Sequence, residues 1–152
     1  MKPTFLKTSG SVLLMALILG VFVSAATQAN PRLFNDGNDS YVYHSTKLNV
    51  SINMPADWQG KVTTTENEGT VTVSYNNPGA QQVFLYSVNK VDQQTWMNVK
   101  DNLQGVHVIS NKDGMVYFVE LTDKISIKGA NAKEFKAIVA GLNDMLANIK
   151  VG

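Results

Sequence analysis

The chain has 152 residues, 44% of them hydrophobic and 16% charged, with 13 Lys and Arg against 12 Asp and Glu and no Cys. That length holds one domain, and cations scattered singly from Arg32 to Lys150 lack the basic stripe that phosphate neutralisation needs, which excludes an electrostatically driven nucleic-acid binder. Without Cys there is no disulfide scaffold, thiolate metal site or thiol nucleophile.

Residues 1–29 predict a secretory signal peptide. Lys2 and Lys7 form a positive start, Val12 to Ala26 is an uncharged apolar run, and small residues follow. The expected cut is after Ala29, with Ala25 and Ala26 as alternatives. An uncleaved anchor is the competing reading, but a spanning helix needs about 20 apolar residues and this run is shorter. No Cys is present to be lipidated. The expected location is therefore periplasmic or extracellular, with no stable membrane anchor after cleavage.

Residues 30–40, rich in Asn, Asp, Gly and Pro, predict a flexible leader. Asp36, Asn38 and Ser40 alternate as at the start of a calcium loop. Tyr41 and Lys47 stand where that loop needs Gly and Glu, so no metal is expected there.

From residue 41 to 152 the pattern predicts a single domain. Tyr41 and Tyr43 alternate with Val42 and His44 in a first short strand. Leu48, Val50, Ile52 and Met54 then alternate with Asn49, Ser51 and Asn53 up to Pro55, the period of a strand with one wet face. Val62–Thr65 and Thr70–Tyr75 flank Glu66-Asn67-Glu68-Gly69 as a hairpin, with Val71, Val73 and Tyr75 on one face. Past the turn Asn76-Asn77-Pro78-Gly79, the strand Gln82–Val91 carries the consecutive apolar run Val83 to Tyr86, as a strand covered on both faces does.

Asp92 can cap a helix with Trp96, Val99 and Leu103 on one face, stopped by Gly105. Val106–Ser110 and Met115–Leu121 bracket Asp113-Gly114, a strong hairpin signal. A short strand around Ile125 and Ile127 is expected next. Asn131 and Glu134 form a capping-box pattern, after which Phe135, Ile138, Val139, Leu142, Met145, Leu146 and Ile149 make one apolar helical stripe. A one-sided sheet and an amphipathic helix complete each other. The expected fold class is α+β: an antiparallel sheet of about five to seven strands with two helices packed on it.

Asn49-Val50-Ser51-Ile52-Asn53-Met54-Pro55-Ala56-Asp57-Trp58 resembles the strand and Pro-x-x-Trp opening of small exported proteins of the PsbP-like and DcrB-like superfamily. The resemblance extends through the strand near Val83–Val88, the middle helix, the hairpin at Val116–Val119 and the last helix, over residues 41–151. It implies an α/β/α-type sandwich. It also implies an accessory or binding role without catalysis, and carries no catalytic residues over. The lipobox Cys common among bacterial relatives is missing here.

The inventory for chemistry is sparse. His44 and His107 have no ligand partners at metal spacing. Ser87-Val88-Asn89-Lys90 matches S-x-x-K, but in a strand and without the S-D-N and K-T-G partners of penicillin-binding enzymes. Glu66 and Glu68 stand at an expected hairpin tip, where charge usually serves solubility. No cofactor is expected.

Trp58 in a Pro-turn and Trp96 near a helix start are the candidate binding residues, because flat amphipathic rings dominate recognition hot spots. Core packing weighs against both, more for Trp96, which shares a face with Val99 and Leu103. The neutral faces Asn49, Ser51, Asn53 and Thr70, Thr72, Ser74 could bind carbohydrate or protein. The leading expectation is an exported, non-catalytic binding or accessory domain that engages a protein or envelope component. The alternatives are a small hydrolase using carboxylates and a periplasmic inhibitor or immunity protein presenting Asn76–Gly79.

Overall fold

The computed structural model describes residues 40–122 and 126–152. The signal segment, the leader up to Asp39 with the calcium-like Asp36 and Asn38, and Ile125 lie outside the described residues.

Two antiparallel sheets form rather than the single one expected. β1 (Ser40–Ser45) pairs with β2 (Val50–Pro55), and β2 pairs on its other side with β8 (Ile149–Val151). The second sheet has five strands in the order β3 (Val62–Asn67), β4 (Thr70–Tyr75), β5 (Val83–Asp92), β7 (Met115–Leu121), β6 (Val106–Lys112). The division has a local cause at Pro55, which has no N–H to extend a ladder and is followed by a 3-10 turn at Ala56–Trp58. That turn redirects the chain, so β3 starts a new sheet.

The alternation in β2 behaves as its period predicts: Val50, Ile52 and Met54 are buried and Ser51 and Asn53 are not. Asp113 and Gly114 have φ of 55° and 74°, the left-handed pair that a two-residue hairpin between β6 and β7 requires. Glu66 and Asn67 extend β3 into the expected loop, leaving Glu68 and Gly69 as the turn to β4.

Away from the bulges at Leu85 and Ile109, register assigns the side chains of the larger sheet to its two faces. The inner face carries Val71, Val73 and Tyr75 of β4, Tyr86 and Val88 of β5, and Tyr117 and Val119 of β7, all in one buried cluster. The three-stranded sheet adds Tyr43, Val50, Ile52 and Met54 to that cluster.

Two helices complete the cluster, α2 (Ala132–Ala140) and α3 (Leu142–Leu146), through Phe135, Ile138, Leu142 and Met145. The Phe135 ring packs on Tyr75, with centroids 5.4 Å apart. On the outer face lies α1 (Gln93–Val99), begun by Asp92, whose carboxylate accepts from the Thr95 N–H at 2.8 Å. A bond from the Thr95 hydroxyl to the other carboxylate oxygen at 2.6 Å, and then that backbone bond, hold the Asp92 carboxyl below its ordinary range. α1 ends before Leu103, and a 3-10 turn at Lys100–Asn102 follows.

The expected continuous last helix is broken at Gly141, whose N–H reaches back to Ile138 O. The buried indole of Trp58 packs there, with Cζ2 3.6 Å from where a Cβ on residue 141 would stand. Ile149 belongs to β8 and not to the helix, because the free side of β2 offers backbone partners that another helical turn would not. The capping box does not form either: Asn131 makes no side-chain cap, and its amide donates to Asn77 Oδ1 at 3.2 Å. Ile127 has no strand structure, contrary to expectation.

Candidate functional site

The outer face of the five-stranded sheet alternates with the core. Because Val71, Val73, Tyr86, Val88 and Val119 point inward, Thr70, Thr72, Ser74, Ser87, Asn89, Phe118 and Glu120 point outward. α1 covers one end of this face, laying Trp96 on Phe118 with ring centroids 5.0 Å apart. Thr63, Thr70, Thr72 and Ser74 are half-buried, and Thr65 and Asn67 are exposed.

At the border between the helix-covered and the polar halves, register builds a compact group. Ser87 of β5 stands opposite Glu120 of β7, and Asn89 opposite Phe118. On the other flank Val106 pairs with Glu120 and Val108 with Phe118. Thr70 Oγ1 donates to Asn89 Oδ1 at 3.0 Å, and Asn89 Nδ2 donates to Ser87 Oγ at 2.8 Å. These bonds fix the amide orientation of Asn89.

Glu120 is half-buried and, among the described residues, has no hydrogen-bonding or ionic partner. Desolvation pushes its carboxyl upward from the ordinary value. Val108 is 53% exposed, and Met97, next to Trp96 on α1, is 56% exposed. A partly exposed indole, an oriented amide and an unsatisfied carboxyl thus share one patch around the buried Ser87 hydroxyl, which is 5% exposed, with apolar side chains at the rim.

The two sequence candidates part company. Trp96 is half-buried and borders the patch, whereas Trp58 is 2% exposed and fills the core, which removes it as a surface anchor. Ser87 and Lys90 of the S-x-x-K match lie on opposite faces, with the Lys90 ammonium over the Tyr117 ring at 5.5 Å, so that lysine cannot serve the serine. His44 and His107 are exposed and lie on different sheets; the His44 ring bonds Ser51 Oγ at 2.8 Å.

Glu66 is not a free charge at a hairpin tip, since it accepts from Tyr43 Oη and Ser45 Oγ at 2.8 and 2.9 Å. The Asn76–Gly79 turn is held at its base, where Asn76 Oδ1 accepts from Thr63 Oγ1 at 2.6 Å, while Pro78 and Gly79 are exposed.

A shallow depression of about 390 Å³ lies between the 3-10 turn after β2 and α2, lined by Asp57, Lys61, Lys133, Glu134 and Ile138 among others. Its two carboxylates invite comparison with an acid–base pair. Glu134 is already engaged, accepting from Tyr75 Oη at 2.8 Å and facing the Lys61 ammonium at 3.6 Å. Burial, then that hydrogen bond and its charge, push the Tyr75 hydroxyl up to about 12. That carboxylate is thus already committed to contacts within the fold.

Among the described residues no three of His, Cys, Asp and Glu come together, and no helix is long and apolar enough to cross a membrane. Ser87, Asn89 and Glu120 were missed as site residues from the sequence. The available signal was polar Ser87 and Asn89 alternating with Val88 in an otherwise apolar strand.

Comparison with known proteins finds no matching family model, no matching curated protein and no matching solved structure.

Proposed function

We propose that this chain is an exported, non-catalytic binding or accessory domain whose recognition surface is the outer face of the five-stranded sheet. The observation that carries the reading is the patch joining Trp96, Asn89 and Glu120 around the buried Ser87 and beside Thr70 and Thr72, where neutral hydrogen-bonding groups and an aromatic ring converge without a tuned nucleophile. Export rests on the Lys-flanked apolar run at the start of the chain. An accessory role is also what the resemblance to PsbP-like and DcrB-like proteins implies, and helices on both sides of the large sheet fit the sandwich it suggests.

The test is capture from envelope extracts with the protein, with Thr72→Arg, and with Lys150→Glu as a control on the smaller sheet. Thr72 stands opposite Ser87, so an arginine there intrudes on the patch. The expected result is one component retained by the protein and by the Lys150 variant, and lost with Thr72→Arg at unchanged melting temperature. Equal retention by all three overturns the proposal.

A further inference from the structure

The chemistry of the patch narrows the class of ligand, on the reading that this face is the recognition surface. Its polar groups are uncharged except Glu120, and Lys90, the cation on β5, points to the other face. An anion would meet an unpaired carboxylate without a compensating cation. An acyl chain would strip water from Thr70, Thr72 and Asn89 without replacing its hydrogen bonds.

A pyranose ring meets neither obstacle. Its C–H face can lie on an indole, and its hydroxyls both donate and accept. We propose that the group formed by Trp96, Asn89 and Glu120, with the neutral threonines beside it, binds a neutral oligosaccharide.

The division of labour follows from donor and acceptor inventories. Glu120 accepts hydrogen bonds from two adjacent hydroxyls, a charge-assisted contact stronger than a neutral one. Asn89 accepts from Thr70 at Oδ1 and donates from Nδ2 to Ser87 Oγ at 2.8 Å and, weakly, to Ser87 O at 3.5 Å, so its amide is fixed and a sugar hydroxyl competes only for the weak second bond. Ser87, only 5% exposed, accepts from Asn89 and holds that amide in place rather than reaching a ligand itself. Asn89 is opposite Phe118 and Ser87 opposite Glu120, so these groups follow β5 and β7 for two residues, beside the indole resting on Phe118. A chain of linked sugars can run across them onto Thr72 and the threonines of β3. The partly buried setting of Glu120 strengthens its contacts, because a desolvated acceptor gains more from each donor than one already in water.

The test is amide and indole N–H chemical-shift mapping of the protein titrated with cellohexaose, the hexamer of N-acetylglucosamine, and maltohexaose, each to about 10 mM, where even weak binding registers. At least one is expected to shift the Trp96 indole, the Asn89 side-chain amide and the Ser87 and Glu120 backbone amides. Glu120→Ala is expected to weaken that binding more than about tenfold. It keeps the fold, since its carboxyl has no partner to lose among the described residues. No shift with any of the three sugars, shifts confined to other surfaces, or undiminished binding by Glu120→Ala each overturns the inference. If the sugars fail while Thr72→Arg still abolishes capture of an envelope component, the recognition surface stands and only its glycan assignment falls.

Discussion

The Tyr43 hydroxyl on β1 donates to Glu66 Oε2 on β3 across 2.8 Å, joining the edge of the small sheet to the edge of the large one. Ser45, two residues further along β1 on the same side, donates to the other carboxylate oxygen at 2.9 Å and also accepts from the Leu48 N–H. Burial, and then the bond to Glu66 and its charge, raise the Tyr43 hydroxyl far above the usual phenol. One carboxylate therefore bridges the two sheets by satisfying two hydroxyls that β1 buries.

Removing either donor should cost a charge-assisted hydrogen bond. Tyr43→Phe and Ser45→Ala are each expected to lower stability by about 1.5 kcal/mol in denaturant titration. Glu66→Ala, which orphans both hydroxyls, should cost more than either, and the Tyr43→Phe, Glu66→Ala double variant less than the sum, because both changes break the same contact. Strict additivity would mean that the bridge carries no energy.

Trp58→Ala should behave as a core truncation, with a loss of about 3 to 5 kcal/mol, because the indole is buried beside the break between α2 and α3. Binding through the outer face should then fall only in proportion to the unfolded fraction. Loss of binding by a variant that melts normally would return Trp58 to the surface.

Glu120 makes a prediction with a definite sign. Its carboxyl titrates higher in the folded protein than the ordinary 4.5, so the fold holds that proton more tightly than the unfolded chain does. This contribution to stability is present below 4.5 and is lost as pH rises through the folded value. Glu120→Gln should accordingly melt higher than the parent at about pH 8 and show no such gain at about pH 4. A gain at neutral pH combined with weaker sugar binding would mark a residue kept for recognition at a cost in stability.

Much of the fold was legible because periodicity is a local property. The alternation of Val50, Ile52 and Met54 and the Asp113-Gly114 turn each needed only a few neighbouring residues to be read. What could not be read depended on partners distant in sequence. Apolar spacing at Ile149 suits a helix or a strand equally, and only the vacant side of β2 decides between them. Glu134 matches a capping box, but Tyr75 and Lys61 claim its carboxylate. The site was legible only at Trp96. Ser87 and Glu120 come together through the pairing of β5 with β7, and no spacing in the chain announces that register.

The late position of β8 has a consequence for biogenesis. Ile52 and its partner Ile149 are roughly a hundred residues apart in the chain, so β2 lacks one neighbour until nearly all of this sequence has left the ribosome. Until then the small sheet is a lone hairpin of β1 and β2, a unit of marginal stability in water. If the chain is exported as proposed, this ordering serves translocation, because the pairing of β2 with β8 cannot close before the end of this sequence emerges.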